Sequence, residues 1–81
     1  MSIRVGVIGS AGRMGSEVVR ALEGARDLEF VRGITAEDSL DQLLDENGAR
    51  LVDVAVDFTL PSVTKANVLW LVQHGIHAVV G

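Results

Sequence analysis

Apolar residues recur along this chain at two alternating spacings. Four short β-branched runs bounded by turn residues predict strands at residues 3–8 (IRVGVI), 28–35 (LEFVRGIT), 51–58 (LVDVAVDF) and 76–80 (IHAVV). Between them, apolar residues at helical spacing predict helices at 12–25, within the polar segment 36–50, and at 61–74. The predicted order is therefore βαβαβαβ.

Short connections between these elements favour a parallel sheet covered by helices, because right-handed crossovers place helices on the sheet faces. We therefore predict an α/β fold, the first half of a Rossmann-like, doubly wound sheet. We expect the strand order 3-2-1-4, which leaves the fourth strand as an unprotected apolar edge. Because intact proteins tend to avoid such edges, we expect residues 1–81 to be a truncated, partial dinucleotide-binding domain.

The helical spacing also predicts which side chains are buried. For the first helix these are Met14, Val18, Leu22 and Ala25. For the last helix they are Val63, Ala66, Leu69, Trp70 and Gln73, with Leu71 and Val72 widening the stripe. Asp38 or Ser39 is expected to cap the middle helix. Pro61 is expected to begin the last helix, and Gly75 to end it in a left-handed conformation.

Composition and charge exclude several classes of protein. The chain is 48% hydrophobic and 22% charged, which excludes a disordered polypeptide, and it has no cysteine for disulfides or thiolate metal sites. Its net charge of −4 has the wrong sign for nucleic-acid binding. No apolar run approaches the roughly 20 residues of a membrane span, and no signal peptide is recognisable. We expect a cytoplasmic protein.

A glycine-rich turn, Gly9-Ser10-Ala11-Gly12-Arg13-Met14-Gly15, joins the first strand to the first helix. Its spacing is G-x-x-G-x-x-G. Gly9 suits a tight turn, Gly12 allows the backbone to approach a pyrophosphate, and Gly15 allows close packing of helix on sheet. The N-terminus of the helix attracts anions, and Arg13 adds a positive charge. The turn predicts a dinucleotide site, and the alternative is a purely structural turn.

Nucleotide preference is left open by the residues after the second strand. Dinucleotide sites commonly have a carboxylate about 20 positions after the glycines, where it binds the adenosine ribose. Thr35 stands at that distance from Gly15, and Glu37 and Asp38 follow it. These carboxylates either substitute for the missing acid or begin the next helix. The cofactor is therefore NADH or NADPH.

Other polar residues are weaker candidates for catalytic or ligand-binding roles. Asp57 ends an apolar strand, where it either accepts structural hydrogen bonds or contacts a ligand. His74 ends a helix and His77 enters a strand, and Lys65 lies on a solvated helix face. We predict no catalytic residue and no metal site in residues 1–81.

Three segments together carry a family resemblance: VIGSAGRMG at 7–15, VDFTLP at 56–61 and HGIHAVVG at 74–81. Over all 81 residues the chain resembles the dihydrodipicolinate reductases, now named 4-hydroxy-tetrahydrodipicolinate reductases. The resemblance implies an NAD(P)H-dependent reductase of lysine and diaminopimelate biosynthesis. Its substrate would be a small heterocyclic dicarboxylate, a cyclic dipicolinate precursor, and the parent enzyme would be a homotetramer.

The resemblance also implies roles for particular residues. The pyrophosphate would be held by Gly9, Ser10, Ala11, Gly12, Arg13 and Met14. Thr35 would lie near the adenosine ribose, Phe58 and Thr59 would lie toward the nicotinamide, and Gly81 would begin a second turn that contacts it. The catalytic and tetramerisation residues would belong to a C-terminal domain absent from this chain, which alone would be inactive. A stand-alone nucleotide sensor and another nicotinamide-dependent oxidoreductase are the alternatives.

Overall fold

The computed structural model describes residues 2–81, which form seven elements. They are β1 (Ile3–Ile8), α1 (Arg13–Glu23), β2 (Leu28–Ile34), the short 3₁₀ helix η1 (Leu40–Leu43), β3 (Val54–Asp57), α2 (Pro61–Gln73) and β4 (His77–Val80). The predicted alternation of strands and helices is confirmed. Within residues 2–81, no helix is both long enough and apolar enough to span a membrane.

The four strands form one parallel sheet in the order β2-β1-β3-β4. The predicted α/β class is confirmed, but the predicted order 3-2-1-4 is wrong, because β3 pairs with β1 and not with β2. The carboxyl ends of three strands are level, since Ile8 is in register with both Ile34 and Asp57. As predicted, β4 lies at an edge, and Val79 and Val80 are exposed there.

The short helix that we predicted within residues 36–50 is present as the single 3₁₀ turn η1, and the rest of this segment is a compact loop. Ser39 caps η1 by accepting a hydrogen bond from the backbone N–H of Asp41 at 3.2 Å. The side chains of Leu43 and Val52 are fully buried. They lie over Gly6 of β1, where a Cβ atom would be 2.9 Å from Cδ2 of Leu43. The missing side chain at Gly6 therefore makes room for the loop. The loop crosses one face of β1, which allows β3 to pair with the edge of β1 that is opposite β2.

The core has two layers, one on each face of the sheet. On one face, Leu22 of α1 packs with Val5 and Val7 of β1. Val18 is half-buried as predicted, but Met14 is 58% exposed and Ala25 is also exposed, so their predicted burial is wrong. The buried position at the start of α1 belongs instead to Gly15.

On the other face, Leu71 of α2 packs with buried residues of the strands and of the loop around η1. Trp70 is half-buried against this core, as predicted. The predicted burial of Leu71 is also confirmed, but the rest of the stripe is wrong: the exposed residues are Val63, Ala66, Leu69, Val72 and Gln73. Asn67 turns toward the sheet instead, where its side-chain amide donates a hydrogen bond to the buried carboxylate of Asp57. Because a buried carboxylate needs donors, this contact selects the face of α2 that is buried.

An ion pair joins β1 to the start of β3 at the opposite end of the sheet. The Arg4 guanidinium donates two hydrogen bonds to the Asp53 carboxylate, from Nη2 to Oδ1 at 3.0 Å and from Nε to Oδ2 at 3.3 Å. The backbone N–H of Arg4 also donates to Oδ2, at 2.9 Å. The side-chain bonds, followed by the backbone bond, lower the pKa of Asp53 to about 2. Asp53 therefore has a structural role away from the carboxyl ends of the strands.

Candidate functional site

A cavity of about 550 Å³ opens at the carboxyl ends of β1, β2 and β3. The chain turns to one side of β1 to form β2 and to the other side to form β3, so this edge is the topological switch point of the sheet. Ligands of open α/β sheets bind at such points. The lining includes Gly9, Ala11, Gly12, Thr35, Ala36, Asp38, Leu40, Phe58, Thr59, Leu60, Val63 and Asn67.

The glycine-rich turn forms one wall of this cavity. Gly9 has a φ of +85°, which favours glycine, and this confirms the predicted tight turn. The backbone N–H groups of Gly9 and Ser10 both donate to the carbonyl of Ile34, at 2.7 and 3.1 Å. The turn is therefore fixed to the end of β2.

Gly15 allows α1 to approach that turn closely, whereas we predicted that it would allow the helix to approach the sheet. A Cβ atom at this position would lie 2.8 Å from the carbonyl carbon of Gly9 and 3.0 Å from Cα of Ser10. Carbon atoms in favourable contact are about 3.5–4.0 Å apart. Only glycine fits here without a shift of the helix.

The N-terminus of α1 lies at the edge of the cavity. Gly12, its N-cap, lines the cavity and has no side chain to accept hydrogen bonds from the first turn. No acidic residue is present in that turn. The first N–H groups of a helix have no partner within the helix, and they carry the positive end of its dipole. This end of α1 suits a phosphate group.

The predicted site residues fall into two sets. Six of them line the cavity: Gly9, Ala11, Gly12, Thr35, Phe58 and Thr59. The other four are Ser10, Arg13, Met14 and Gly81. Ser10 packs over Gly33 of β2, and Arg13 and Met14 are exposed at the start of α1. Gly81 lies beside the ring of Phe58, and its N–H donates to the carbonyl of Asp57 at 3.0 Å.

A buried polar network holds the end of β3. Asp57 is 1% exposed, and its Oδ1 accepts hydrogen bonds from the Thr59 N–H at 2.7 Å and from the Thr59 hydroxyl. Its Oδ2 accepts from Nδ2 of Asn67 at 3.1 Å. Of the two roles considered for Asp57, the structure shows the acceptor of structural hydrogen bonds. The network fixes the turn after β3 and, with it, the positions of Phe58 and Thr59 at the cavity.

Asn67 is a cavity residue that the sequence analysis missed. It lies one helical turn after Thr64, and both side chains are half-buried on the sheet side of α2. The hydroxyl oxygens of Thr59 and Thr64 are 3.2 Å apart, which joins this helix face to the network of Asp57. Two polar residues three positions apart in an apolar helix were the available signal, since such residues share a face.

A second carboxylate lies at the end of β2. Oδ2 of Asp38 accepts hydrogen bonds from the Thr35 N–H at 2.8 Å and from the Thr35 hydroxyl at 2.9 Å. The backbone bond, followed by the side-chain bond, lowers the pKa of Asp38 below its usual value. Ser39 caps η1, so Asp38 is free of that role. Asp38 instead fixes Thr35 in the cavity wall.

The histidines lie apart from the cavity lining. His74 follows α2, and its ring stacks on Trp70 with the ring centroids 4.0 Å apart. Its Nδ1 is 2.8 Å from the carbonyl oxygen of Trp70. Among residues 2–81, no group of three or more metal-ligating side chains is close enough to hold an ion.

Comparisons with known proteins agree on one family. The family model described as "Dihydrodipicolinate reductase, N-terminus" matches residues 3–81. A 4-hydroxy-tetrahydrodipicolinate reductase of Beutenbergia cavernae is 53% identical over 81 residues, which is 100% of this chain and 31% of that protein. The enzyme of the same name from Mycobacterium sp. (strain KMS) is 47% identical over 79 residues, 98% of this chain and 31% of the relative.

A solved structure shares the fold. It is a dipicolinate-bound dihydrodipicolinate reductase from Paenisporosarcina sp. TG-14, with a TM-score of 0.82 and 21% sequence identity. The match covers 100% of this chain and 37% of that one. The chain thus spans about 31% of the length of the curated relatives named above. Since the family model matches residues 3–81 with the glycine-rich turn at its start, the chain belongs to the dihydrodipicolinate reductase family and corresponds to its N-terminal part.

Proposed function

We propose that residues 2–81 bind the dinucleotide of an NADH- or NADPH-dependent reductase of lysine and diaminopimelate biosynthesis that acts in the cytoplasm. The observation that carries this proposal is the cavity at the switch point, with the glycine-rich turn and the positive end of α1 at its wall. The family to which the chain belongs supports the choice of cofactor.

The residues fit such a cofactor. The pyrophosphate is assigned to Gly9, Ser10, Ala11, Gly12, Arg13 and Met14. In this assignment the exposed Arg13 adds positive charge, and Ser10 and Met14 contribute backbone atoms. Because Gly12 lacks a side chain, nothing at the N-cap blocks approach to the first turn of α1. Thr35 is assigned to the adenosine ribose.

Phe58, Thr59 and Gly81 are assigned to the nicotinamide end of the site. The Asp57 network keeps Thr59 in one position, and Gly81 supports one side of the Phe58 ring. When bound, the nicotinamide supplies a hydride to the substrate. In this proposal, residues 2–81 position the cofactor.

The substrate in this proposal is a small heterocyclic dicarboxylate, a cyclic dipicolinate precursor. We assign its binding, the catalytic residues and a homotetramer interface to the additional sequence that the longer relatives carry. Residues 1–81 are a partial dinucleotide-binding domain in this scheme, and by themselves they are expected to bind nucleotide without reducing the substrate.

Calorimetric titration with NADH and NADPH tests the proposal. At least one of the two should bind saturably, and Gly12→Asp should abolish that binding. A carboxylate at the N-cap accepts hydrogen bonds from the first turn of the helix, so it would occupy the N–H groups that a phosphate needs. A Cβ atom at Gly12 would meet only the Gly9 carbonyl oxygen, at 3.3 Å, so the variant should remain folded.

Gly24→Asp is the matched control, since it adds the same charge at the far end of α1. The nearest atom to a Cβ there is 3.8 Å away, and φ is −94°. This control should bind nucleotide like the unmodified protein. Unchanged affinity in folded Gly12→Asp, or no binding of either nucleotide to the unmodified protein, would overturn the proposal.

A further inference from the structure

Asp38 places a fixed negative charge in one wall of the cavity. Two hydrogen bonds from Thr35 hold its Oδ2, and Nε2 of Gln42 donates to Oδ1 at 3.3 Å. A carboxylate has about four acceptor positions, so these three bonds leave one free. The side chain is therefore rigid, and it retains the capacity to accept a hydrogen bond from a ligand hydroxyl.

The charge on Asp38 has no cationic counterpart in the cavity wall. Among residues 2–81, no lysine or arginine lines the cavity. Hydrogen bonds from Thr35 lower the pKa of Asp38, so its carboxylate is ionised at neutral pH. Arg32 also favours this ionised form, but its side chain lies outside the cavity lining.

Asp38 also lies where dinucleotide sites distinguish their two common ligands. It follows the carboxyl end of β2 and lines the cavity together with Thr35. At this end of the second strand, a carboxylate accepts a hydrogen bond from the ribose 2′-hydroxyl of NADH, whereas an arginine accommodates the 2′-phosphate of NADPH. Thr35 occupies the position where an acidic residue is expected. The loop after β2 brings the carboxylate of Asp38, three residues further along the chain, to the same place.

We propose that Asp38, positioned by Thr35, makes this site selective for NADH over NADPH. The inference rests on the dinucleotide site proposed above. A 2′-phosphate near Asp38 would meet like charge with no lysine or arginine in the cavity lining to compensate it, whereas a 2′-hydroxyl would find an acceptor. Because the repulsion acts in a partly enclosed cavity, we expect NADPH to bind at least about tenfold more weakly than NADH.

Calorimetric titration at low ionic strength, with both nucleotides and three proteins, tests the inference. The unmodified protein should prefer NADH. Asp38→Asn removes the charge and keeps an oxygen for Thr35, so it should strengthen NADPH binding by about fivefold or more. NADH binding should not strengthen, because Thr35 occupies both lone pairs of the amide oxygen and none remains for the 2′-hydroxyl. Asp41→Asn is the matched control, because Asp41 is exposed and lies outside the cavity lining. Asp41→Asn should leave the ratio of the NADH and NADPH affinities unchanged.

A measurement on the unmodified protein tests the inference even if the Asp38→Asn variant does not fold. Added salt screens charge repulsion, so the preference of the unmodified protein for NADH should decrease as ionic strength rises. Equal binding of both nucleotides, or tighter binding of NADPH, would overturn the selectivity and leave the proposed dinucleotide site intact. A preference for NADH that folded Asp38→Asn retains would overturn the role of Asp38. Binding of neither nucleotide would overturn this inference together with the proposed function.

Discussion

Replacement of Gly15 by alanine tests the packing of α1 on the glycine-rich turn. The added Cβ would lie 2.8 Å from the carbonyl carbon of Gly9 and 3.0 Å from Cα of Ser10. Favourable carbon contacts need about 3.5–4.0 Å, so the helix and the turn must separate by roughly 1 Å. Both neighbours are backbone, and hydrogen bonds from Gly9 and Ser10 to Ile34 hold them in place. The strain therefore cannot be relieved by rotation of a side chain.

The expected change in the free energy of unfolding of Gly15→Ala follows from two opposing effects. Overpacking in a fixed environment costs about 1–3 kcal/mol and occasionally more, and the rigid backbone on one side puts Gly15→Ala at the upper end. Alanine is favoured over glycine inside a helix by about 1 kcal/mol, which offsets part of this cost. We expect the free energy of unfolding to fall by about 2 kcal/mol. Nucleotide affinity should fall as well, because the N-terminus of α1 would move relative to the cavity.

Urea denaturation, followed by the fluorescence of Trp70, measures the change. With an unchanged slope, the shift in midpoint converts directly into the change in free energy of unfolding. Gly24→Ala is the control, since a Cβ there meets nothing closer than 3.8 Å. It should be neutral or stabilising by up to about 1 kcal/mol. If Gly15→Ala proved as stable as the unmodified protein, the steric reason for glycine at this position would be refuted.

Three further predictions concern the sheet and its two ends, and urea denaturation checks each of them. Asp57→Ala should destabilise the protein by about 1–3 kcal/mol for each buried donor left unsatisfied, whereas Asp41→Ala, at an exposed position, should have little effect. Leu71→Ala should lower the free energy of unfolding by about 2–5 kcal/mol because Leu71 is fully buried. A smaller decrease than that caused by Leu69→Ala, at an exposed position, would contradict the assigned buried face of α2. The lowered pKa of Asp53 stabilises the fold above pH 3.8, and this contribution should be lost as pH falls toward about 2. Asp53→Asn should remove that part of the acid sensitivity, and an identical pH profile in the variant would contradict the role of the Arg4 pair.

The parts of the fold that local backbone chemistry determines could be predicted from the sequence. The strands are β-branched runs, and Gly9 and Gly15 occupy positions that a side chain would obstruct. Pro61 begins α2, and Gly75 follows it with a φ of +72°, as expected of the residues that start and stop a helix. Each of these predictions depends on a few neighbouring residues, so the sequence pattern was sufficient.

The buried face of α2 could not be predicted from spacing. The helix carries apolar residues on most of its circumference, so several stripes fit a helical period equally well. The choice depends on Asp57, ten residues earlier in the chain, whose buried carboxylate binds Asn67. Asp38 presents the same difficulty, since only the path of the loop after β2 brings its carboxylate back to Thr35. Tertiary contacts decide both cases.

The corrected strand order explains why the candidate site is a single cavity. In the predicted order 3-2-1-4, the end of β3 would lie beyond β2, and Phe58 and Thr59 would be separated from the glycine-rich turn. In the observed order β3 lies beside β1, and the N–H of Phe58 donates to the carbonyl of Ile8 at 2.9 Å. A Cβ atom at Gly9 would consequently be only 3.3 Å from the backbone of Phe58. The compact loop around η1 permits this pairing, since Leu43 and Val52 cover β1 over Gly6 without an α-helix. The residues assigned to the pyrophosphate and to the nicotinamide are therefore adjacent because of a connection whose shape the local sequence pattern did not predict.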